Sequence, residues 1–499
     1  MSDSLWSIVT QKEIEQEKVL ISTFAIQTQT LMRRALFARF RDRIIYNPDL
    51  DRKLVSFQAN KQLPFYSWFK YKEGFSCQLV QYLLQKLMPQ PGVLLDPFAG
   101  AGSALFAAQE LGWKTQGIEV LPVGIYAMKA RMEAECLDAK AFKRAVELIL
   151  TEDFAKHYDS QYALEHIAIT SGAYHQDEEK QLVGYISYCN QYIKDCDIQK
   201  LLLYAACCIL EDISYTRKDG QYLRWDSRSG RCQAKTSFNK GTIFSFRTAI
   251  KSKLRQILDD LTEKPKQWSL FEEEKRQPSG QQIKLFLGSC LDILPTMLAN
   301  SINFVLTSPP YANRYDYTRT YALELVYLGC SSEQVKKLRQ TMLSCTVENL
   351  DKRYQLEQYY RQLGRTADFQ KIEETFNHQA ALQEVLSTLD NYRHLGRLNN
   401  SNIVRLVRNY FYEMCFVIYE LTRLLQPGGI VVMVNDNVRY AGEEVPVDLI
   451  LSDMAETFGL TTRYIWTLGR GKGNSSQQMG NHGRTELRKC VYVWEKERV

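Results

Sequence analysis

The sequence predicts an α/β protein built on a doubly wound, mostly parallel sheet. Three observations predict it. Short apolar strands alternate with helical stretches along much of the chain. The first of those strands runs directly into a glycine-rich turn that opens a helix. The composition is that of a large globular protein: 499 residues, 45% hydrophobic and 24% charged, which excludes disordered, collagenous and coiled-coil classes. No run approaches the roughly 18–20 uncharged apolar residues that span a bilayer. The opening MSDSLWSIVTQKEIEQEKVL has no basic stretch followed by an apolar one, so no secretory signal is expected. The 12 cysteines form no C-x-x-C pair, so neither a metal site nor a disulfide framework is indicated, and a reducing cytoplasm is the expected location.

Taken in order, residues 11–45 contain good helix formers and no Pro or Gly, and predict a helix within a helical extension over 1–60. The segment 61–130 is the first part of the sheet domain. In it GVLLD is a strand ending in an acid, PFAGAGS a turn, ALFAAQELG a helix closed by Gly112, and KTQGIEV a second strand. Further strands are IKLFLG (283–288), INFVLT (302–307), GIVVMVND (429–436), TRYIWTLG (462–469) and KCVYVWEK (489–496). The last two are joined without a helix and should be antiparallel. Two stretches interrupt the alternation, 131–282 and 330–405, both too long to be plain loops. The second reads as helical throughout. In the first, 263–282 is polar with two prolines and reads as a linker. The sheet domain is thus expected in three pieces, 61–130, 283–329 and 406–499, with two insertions.

The turn Asp96-Pro97-Phe98-Ala99-Gly100-Ala101-Gly102 lies at the carboxyl end of its strand, the edge where open α/β sheets bind ligands. Glycines let a ligand approach the backbone, and the next helix presents free N–H groups. A glycine-rich turn alone is also consistent with a tight strand-to-helix connection. Asp96 would repel a pyrophosphate and suits a ligand carrying an ammonium group, such as the amino-acid end of S-adenosylmethionine. Leu105 stands where a dinucleotide fingerprint has its third glycine. Glu119 ends the second strand, placed to bind both ribose hydroxyls of an adenosine. Thr307-Ser308-Pro309-Pro310-Tyr311 continues a later strand onto the same edge. Two prolines stiffen that turn, so the Ser308 hydroxyl and nearby carbonyls form fixed acceptors suited to an exocyclic amine. Tyr311 offers a face for a planar ring.

DPFAGAG followed by TSPPY resembles the amino-methyltransferases of DNA, which make N4-methylcytosine or N6-methyladenine. The resemblance covers about 65–130 and 283–496. It implies a Rossmann-like sheet of the class I methyltransferase type, with S-adenosylmethionine as cofactor. It assigns the cofactor to Asp96, Pro97, Phe98, Gly100, Gly102 and Glu119. Phe75 and Ser76 in FSCQLVQYLL, and Ser289 and Cys290 in LFLGSCLDIL, are assigned to it as well. It assigns the target amine to Ser308, Pro309, Pro310 and Tyr311. A base inside a duplex cannot reach such a pocket, so a flipped-out nucleotide is implied. No Pro-Cys dipeptide is present, which argues against a cytosine C5 enzyme. The Ser-Pro-Pro-Tyr form favours cytosine N4. Adenine N6, an RNA methyltransferase and a non-catalytic nucleic-acid-binding protein remain alternatives.

Formal net charge is +6, but it is concentrated. Residues 214–255 hold eleven Lys/Arg and two Asp, interleaved with aromatics, the composition of a nucleic-acid surface. Arg217, Arg224, Trp225, Arg228, Arg231 and Lys235 are the expected contacts there, which makes 131–282 the expected target-recognition region. A second candidate is the glycine-rich loop 469–489. There Arg470, Lys472 and Arg484 would meet phosphates and Gln477 base edges. Arg314 and Arg319, just past the SPPY turn, are a third. The expected partner is double-stranded DNA, with a separate restriction endonuclease or defence-system proteins as further partners in a restriction-modification or related system. No membrane contact is expected, and the protein is expected to be a monomer.

Overall fold

Every apolar run expected to form a strand does so. The computed structural model describes residues 31–72, 74–219, 222–231, 237–268, 283–468 and 487–498. Among these residues the strands are β1 (Ile44–Tyr46), β2 (Val93–Asp96), β3 (Lys114–Glu119), β4 (Thr216–Asp219), β5 (Tyr222–Trp225), β6 (Ile283–Leu287), β7 (Ile302–Thr307), β8 (Leu425–Asp436), β9 (Val438–Tyr440), β10 (Glu443–Val445), β11 (Leu460–Thr467) and β12 (Lys489–Lys496). Eight of them join in the order β1-β11-β12-β8-β7-β2-β3-β6. All neighbours are parallel except those of β12, which is antiparallel to both β11 and β8. This is the doubly wound, mostly parallel sheet of the class I methyltransferase type. β4–β5 and β9–β10 are separate antiparallel hairpins.

Side chains alternate between the two sheet faces, as the strand repeat requires. Leu94 enters one apolar layer with the helices Cys77–Leu87 and Ser103–Gln109. Its neighbour Leu95 enters the opposite layer, with the helices Ile403–Leu424 and Val447–Thr457. The stretch expected to be helical holds Ser332–Thr341, Arg353–Gln362, Thr366–His378 and Ala380–His394, and the last three of these pack on that second face. The chain winds from β2 through β3 to β6 on one side and from β7 to β8 on the other. The crevice between the carboxyl ends of β2 and β7 is therefore the topological switch point, where such sheets bind ligands.

Two boundaries differ from expectation. The stretch expected as helix through residue 45 is helical over Leu31–Phe40 and then turns into β1, which pairs with β11. Isoleucines at 44 and 45 favour a strand once a partner edge is present. Part of the expected helical extension thus belongs to the sheet; residues 1–30 lie outside the described residues. The expected linker 263–282 begins inside the helix Phe246–Trp268, and 269–282 lie outside the described residues. No helix among the described residues is long and apolar enough to cross a membrane.

The first insertion builds its own core from the helices Gln176–Tyr192, Cys196–Cys208 and Phe246–Trp268. That core continues into Trp68 and Tyr321 of the sheet domain. Polar links fix the join. Asp260 accepts hydrogen bonds from the Trp68 indole at 2.6 Å and the Phe65 N–H at 2.9 Å. Lys218, on the inward side of β4, is buried in an ion pair with Glu324. Breaking a buried pair from one side strands the other charge. Lys218→Met should therefore destabilise the protein by about 3–5 kcal/mol, whereas Lys218→Met with Glu324→Leu should recover most of that. Thermal unfolding of the single and double variants checks this.

Candidate active site

A cavity of about 820 Å³, its open mouth included, lies at the switch point, within the range of small-molecule sites. Strand-end turns supply its polar residues from four separate stretches of sequence. Asp96, Pro97, Phe98 and Gly100 come from the turn after β2, Glu119 from the end of β3, Ser289 and Cys290 from the turn after β6, and Ser308 and Pro310 from the turn after β7. Phe75 lines it from the segment before the first helix of the sheet. The glycine-rich turn and the SPPY turn, 211 positions apart at their nearest bonded residues, therefore share one cavity.

Asp96 is 2% exposed. Its Oδ1 accepts from Thr307 Oγ1 at 2.7 Å and from the Phe98 N–H at 3.0 Å. Burial pushes its carboxyl up to about 7, with those two donors acting in the opposite direction. Glu119 is pushed up to about 7 as well, first by burial and also by Asp96 nearby, against the lowering effect of backbone donors. Its Oε2 accepts from the Gly100 N–H and its Oε1 from the Leu121 N–H, both at 2.7 Å. A carboxylate oxygen has room for a second donor, so Glu119 can still receive a pair of hydroxyls. Gly100 has φ +56°, and a Cβ there would stand 2.8 Å from the Tyr71 ring. At Gly124 a Cβ would stand 2.4 Å from the Gly100 carbonyl and 2.7 Å from Glu119 Cγ. Both glycines are thus set by close approach around the acid pair. A cation fits Asp96 and a diol fits Glu119, which is the donor and charge pattern of an adenosine with free ribose hydroxyls that carries an amino-acid group elsewhere.

Some residues expected at the site serve it from behind. Ser76 is buried; its hydroxyl caps the helix Cys77–Leu87 through the Leu79 N–H and donates to the Leu54 carbonyl. Gly102, at φ +83°, is the turn residue before the helix Ser103–Gln109 and packs toward Met128. Pro309 is buried. Tyr311 is 6% exposed; its hydroxyl is 3.4 Å from Ser308 Oγ, and Lys489 Nζ lies 6.0 Å from its ring centre. Ser289 accepts from the Leu291 N–H at 3.3 Å, so its hydroxyl shapes the turn it sits on. Other lining residues were not anticipated: Phe57, Tyr71, Tyr317, Met342 and Leu343. The aromatic run FYSWFKY (65–71) is a visible signal for Tyr71; Met342 and Leu343 reach the cavity from the helical insertion without one.

The basic stretch is turned inward more than its composition suggests. Trp225 is 3% exposed, inside the insertion's core. Arg231 lies over its ring and donates to the Ala168 and Ser171 carbonyls. Arg228 chelates Asp226 and reaches the Gly241 carbonyl. Arg224 pairs with Asp219 at 3.2 Å and lies over Phe238. Arg217 is exposed on the outward side of β4. Beyond the SPPY turn, Arg319 pairs with Asp316 and Glu348, and Arg314 donates to Asn399. Lys235, Arg470, Lys472, Gln477 and Arg484 lie outside the described residues.

The raised carboxyls make a pH prediction. A cationic ligand needs Asp96 ionised, and in the free protein that carboxyl takes up a proton as pH falls through about 7. Affinity for S-adenosylmethionine should therefore fall below neutral pH, by up to about tenfold per pH unit. Asp96→Asn should bind weakly and show a shallower pH dependence, the part that remains being that of Glu119. Calorimetric titrations at a series of pH values check both.

We found no family model and no solved structure that matches the chain. Among curated proteins it is 43% identical over 473 residues to the type II methyltransferase M.AvaI of Nostoc sp., covering 94% of each chain, and equally to that of Anabaena variabilis. It is 39% identical over 465 residues to the type II methyltransferase M.BsoBI of Geobacillus stearothermophilus, covering 89% of this chain and 88% of that one. With one cavity shared by an acid-bearing glycine turn and a rigid SPPY turn, and with identity of this level along nearly its whole length, the chain belongs to the type II methyltransferases.

Proposed function

We propose that the protein is a site-specific DNA methyltransferase of a restriction-modification system, acting on the exocyclic amine of a flipped-out base, with cytosine N4 as the target. One observation carries this reading: Asp96, Glu119 and Ser308 line the same cavity. Asp96 would hold the ammonium group of S-adenosylmethionine and Glu119 its ribose, while Phe98, Ile118 and Leu343 supply apolar walls. The bound cofactor supplies an electrophilic methyl group on its sulfonium. The protein's own part is placement. Ser308 Oγ and the Pro309 carbonyl accept the hydrogens of the target amine and aim its nitrogen. The two prolines keep those acceptors from swinging away. Tyr311 is nearly covered, so stacking on an extruded base would require its ring to be uncovered as the base enters.

Arg217 and the loop 469–489 are the proposed phosphate contacts, and the whole insertion 131–282 the proposed recognition region. Cytosine rather than adenine rests on Ser308, a neutral acceptor, in place of a carboxylate.

Two outcomes test the proposal. Sequencing the DNA of a host that expresses the chain should reveal N4-methylcytosine at one fixed sequence. N6-methyladenine there would reassign the base, and methyl incorporation into RNA but not DNA would reject the substrate. Ser308→Ala should lower methyl transfer by about 100-fold or more while S-adenosylmethionine still binds; full activity in that variant would remove the amine-holding role.

A further inference from the structure

Asp96 is held in an unusual way for a group that must meet a ligand. Its carboxylate has two oxygens, yet both hydrogen bonds it accepts, from Thr307 Oγ1 and the Phe98 N–H, go to Oδ1. Among the described residues no donor is bonded to Oδ2, although Asp96 lines the cavity. The torsion that swings a carboxylate plane is soft. Two donors on one oxygen lock it, and they leave the second oxygen as the one free to face the cavity.

Thr307 itself is fully buried at the end of β7. It lies outside the cavity lining, so a ligand would not touch it. Its hydroxyl could have bonded within its own strand. It reaches instead across to the carboxylate at the end of β2, the neighbouring strand.

We propose that Thr307 is a positioning residue for cofactor binding: its hydroxyl fixes Asp96 so that the unbonded carboxylate oxygen receives the cationic end of S-adenosylmethionine. The inference rests on the proposed function and deepens it. Because Thr307 directly precedes Ser308, the strand end that carries the amine-holding turn also orients the cofactor-holding acid.

The surroundings of Asp96 determine what loss of the Thr307 hydroxyl would do. Its titratable neighbours are Glu119, at the end of β3, and Tyr71, above Gly100. Tyr71 is pushed well above its ordinary value by burial and stays neutral. Burial makes the ionised form of Asp96 harder to keep. Thr307 is among the donors that oppose this. Removing its hydroxyl should both free the carboxylate to rotate and make it easier to protonate.

The experiment is calorimetric titration of the full chain with S-adenosylmethionine across a pH series, for wild type, Thr307→Val and Thr307→Ser. Thr307→Val keeps the shape and removes the donor; it should weaken binding by about tenfold or more at neutral pH and shift the acid limb of the affinity profile to higher pH. Thr307→Ser keeps the donor and should restore affinity and limb to near wild type. If Thr307→Val fails to fold by circular dichroism, Thr307→Ala makes the same comparison against serine. Wild-type affinity and pH limb in the hydroxyl-free variant would overturn the inference, and so would a serine variant as weak as the valine one. A wild-type chain that binds no S-adenosylmethionine would refute the proposed function itself, an outcome separate from either of these.

Discussion

The register of β2 against β7 is the constraint on which the rest of the site depends. Leu94 stands opposite Phe304 and Leu95 opposite Val305, so the two strands, ending at Asp96 and Thr307, finish within one residue of each other. Each then enters a turn that cannot continue the strand, one opened by Pro97 and one by Pro309. Two chemically different turns are thereby set side by side. A slip by one residue would send Leu94 and Leu95 to the wrong faces, and the two apolar layers forbid it. The precision of the polar site is thus set by apolar packing some distance behind it.

The first insertion shows the reverse relation, with charge serving structure. Lys253 donates to the Trp68 carbonyl, Arg247 to the carbonyls of Leu150 and Glu152, and Lys240 to that of Ser214. These cations close the ends of helices and turns, whose last carbonyls lack partners. A stretch can therefore be strongly basic and still present few free cations to a phosphate backbone. Among the described residues of the insertion, the positive charge left for phosphates is therefore smaller than the charge count.

Much of this was legible in advance because the information is local. An apolar run such as INFVLT needs no knowledge of its neighbours to be a strand, and a glycine turn after a strand such as GVLLD declares a ligand edge. The SPPY turn was legible for the same reason. β1 was not: Ile44–Tyr46 is three residues long and owes its form to the waiting edge of β11. The β4–β5 hairpin was hidden by its charge, although Thr216 and Lys218 face inward while Arg217 and Asp219 face outward, the alternation of a strand. Lys218 could be recognised as internal only with Glu324, 106 positions away, in view. Met342 and Leu343 reach the cavity by the folding of a whole helical insertion, which no short window contains.

The place of β12 has a consequence for how the molecule comes into being. It lies between β8 and β11, so the strands on either side have no hydrogen-bonded contact until it arrives, and β1 then waits on β11. During synthesis the β8 edge, with Val431, Val432 and Val434 ready to pair, must stand open until residues 489–496 have left the ribosome. Sheet closure is consequently a late, long-range event of the slow kind, and the nascent chain carries an adhesive strand edge from the emergence of β8 until that closure.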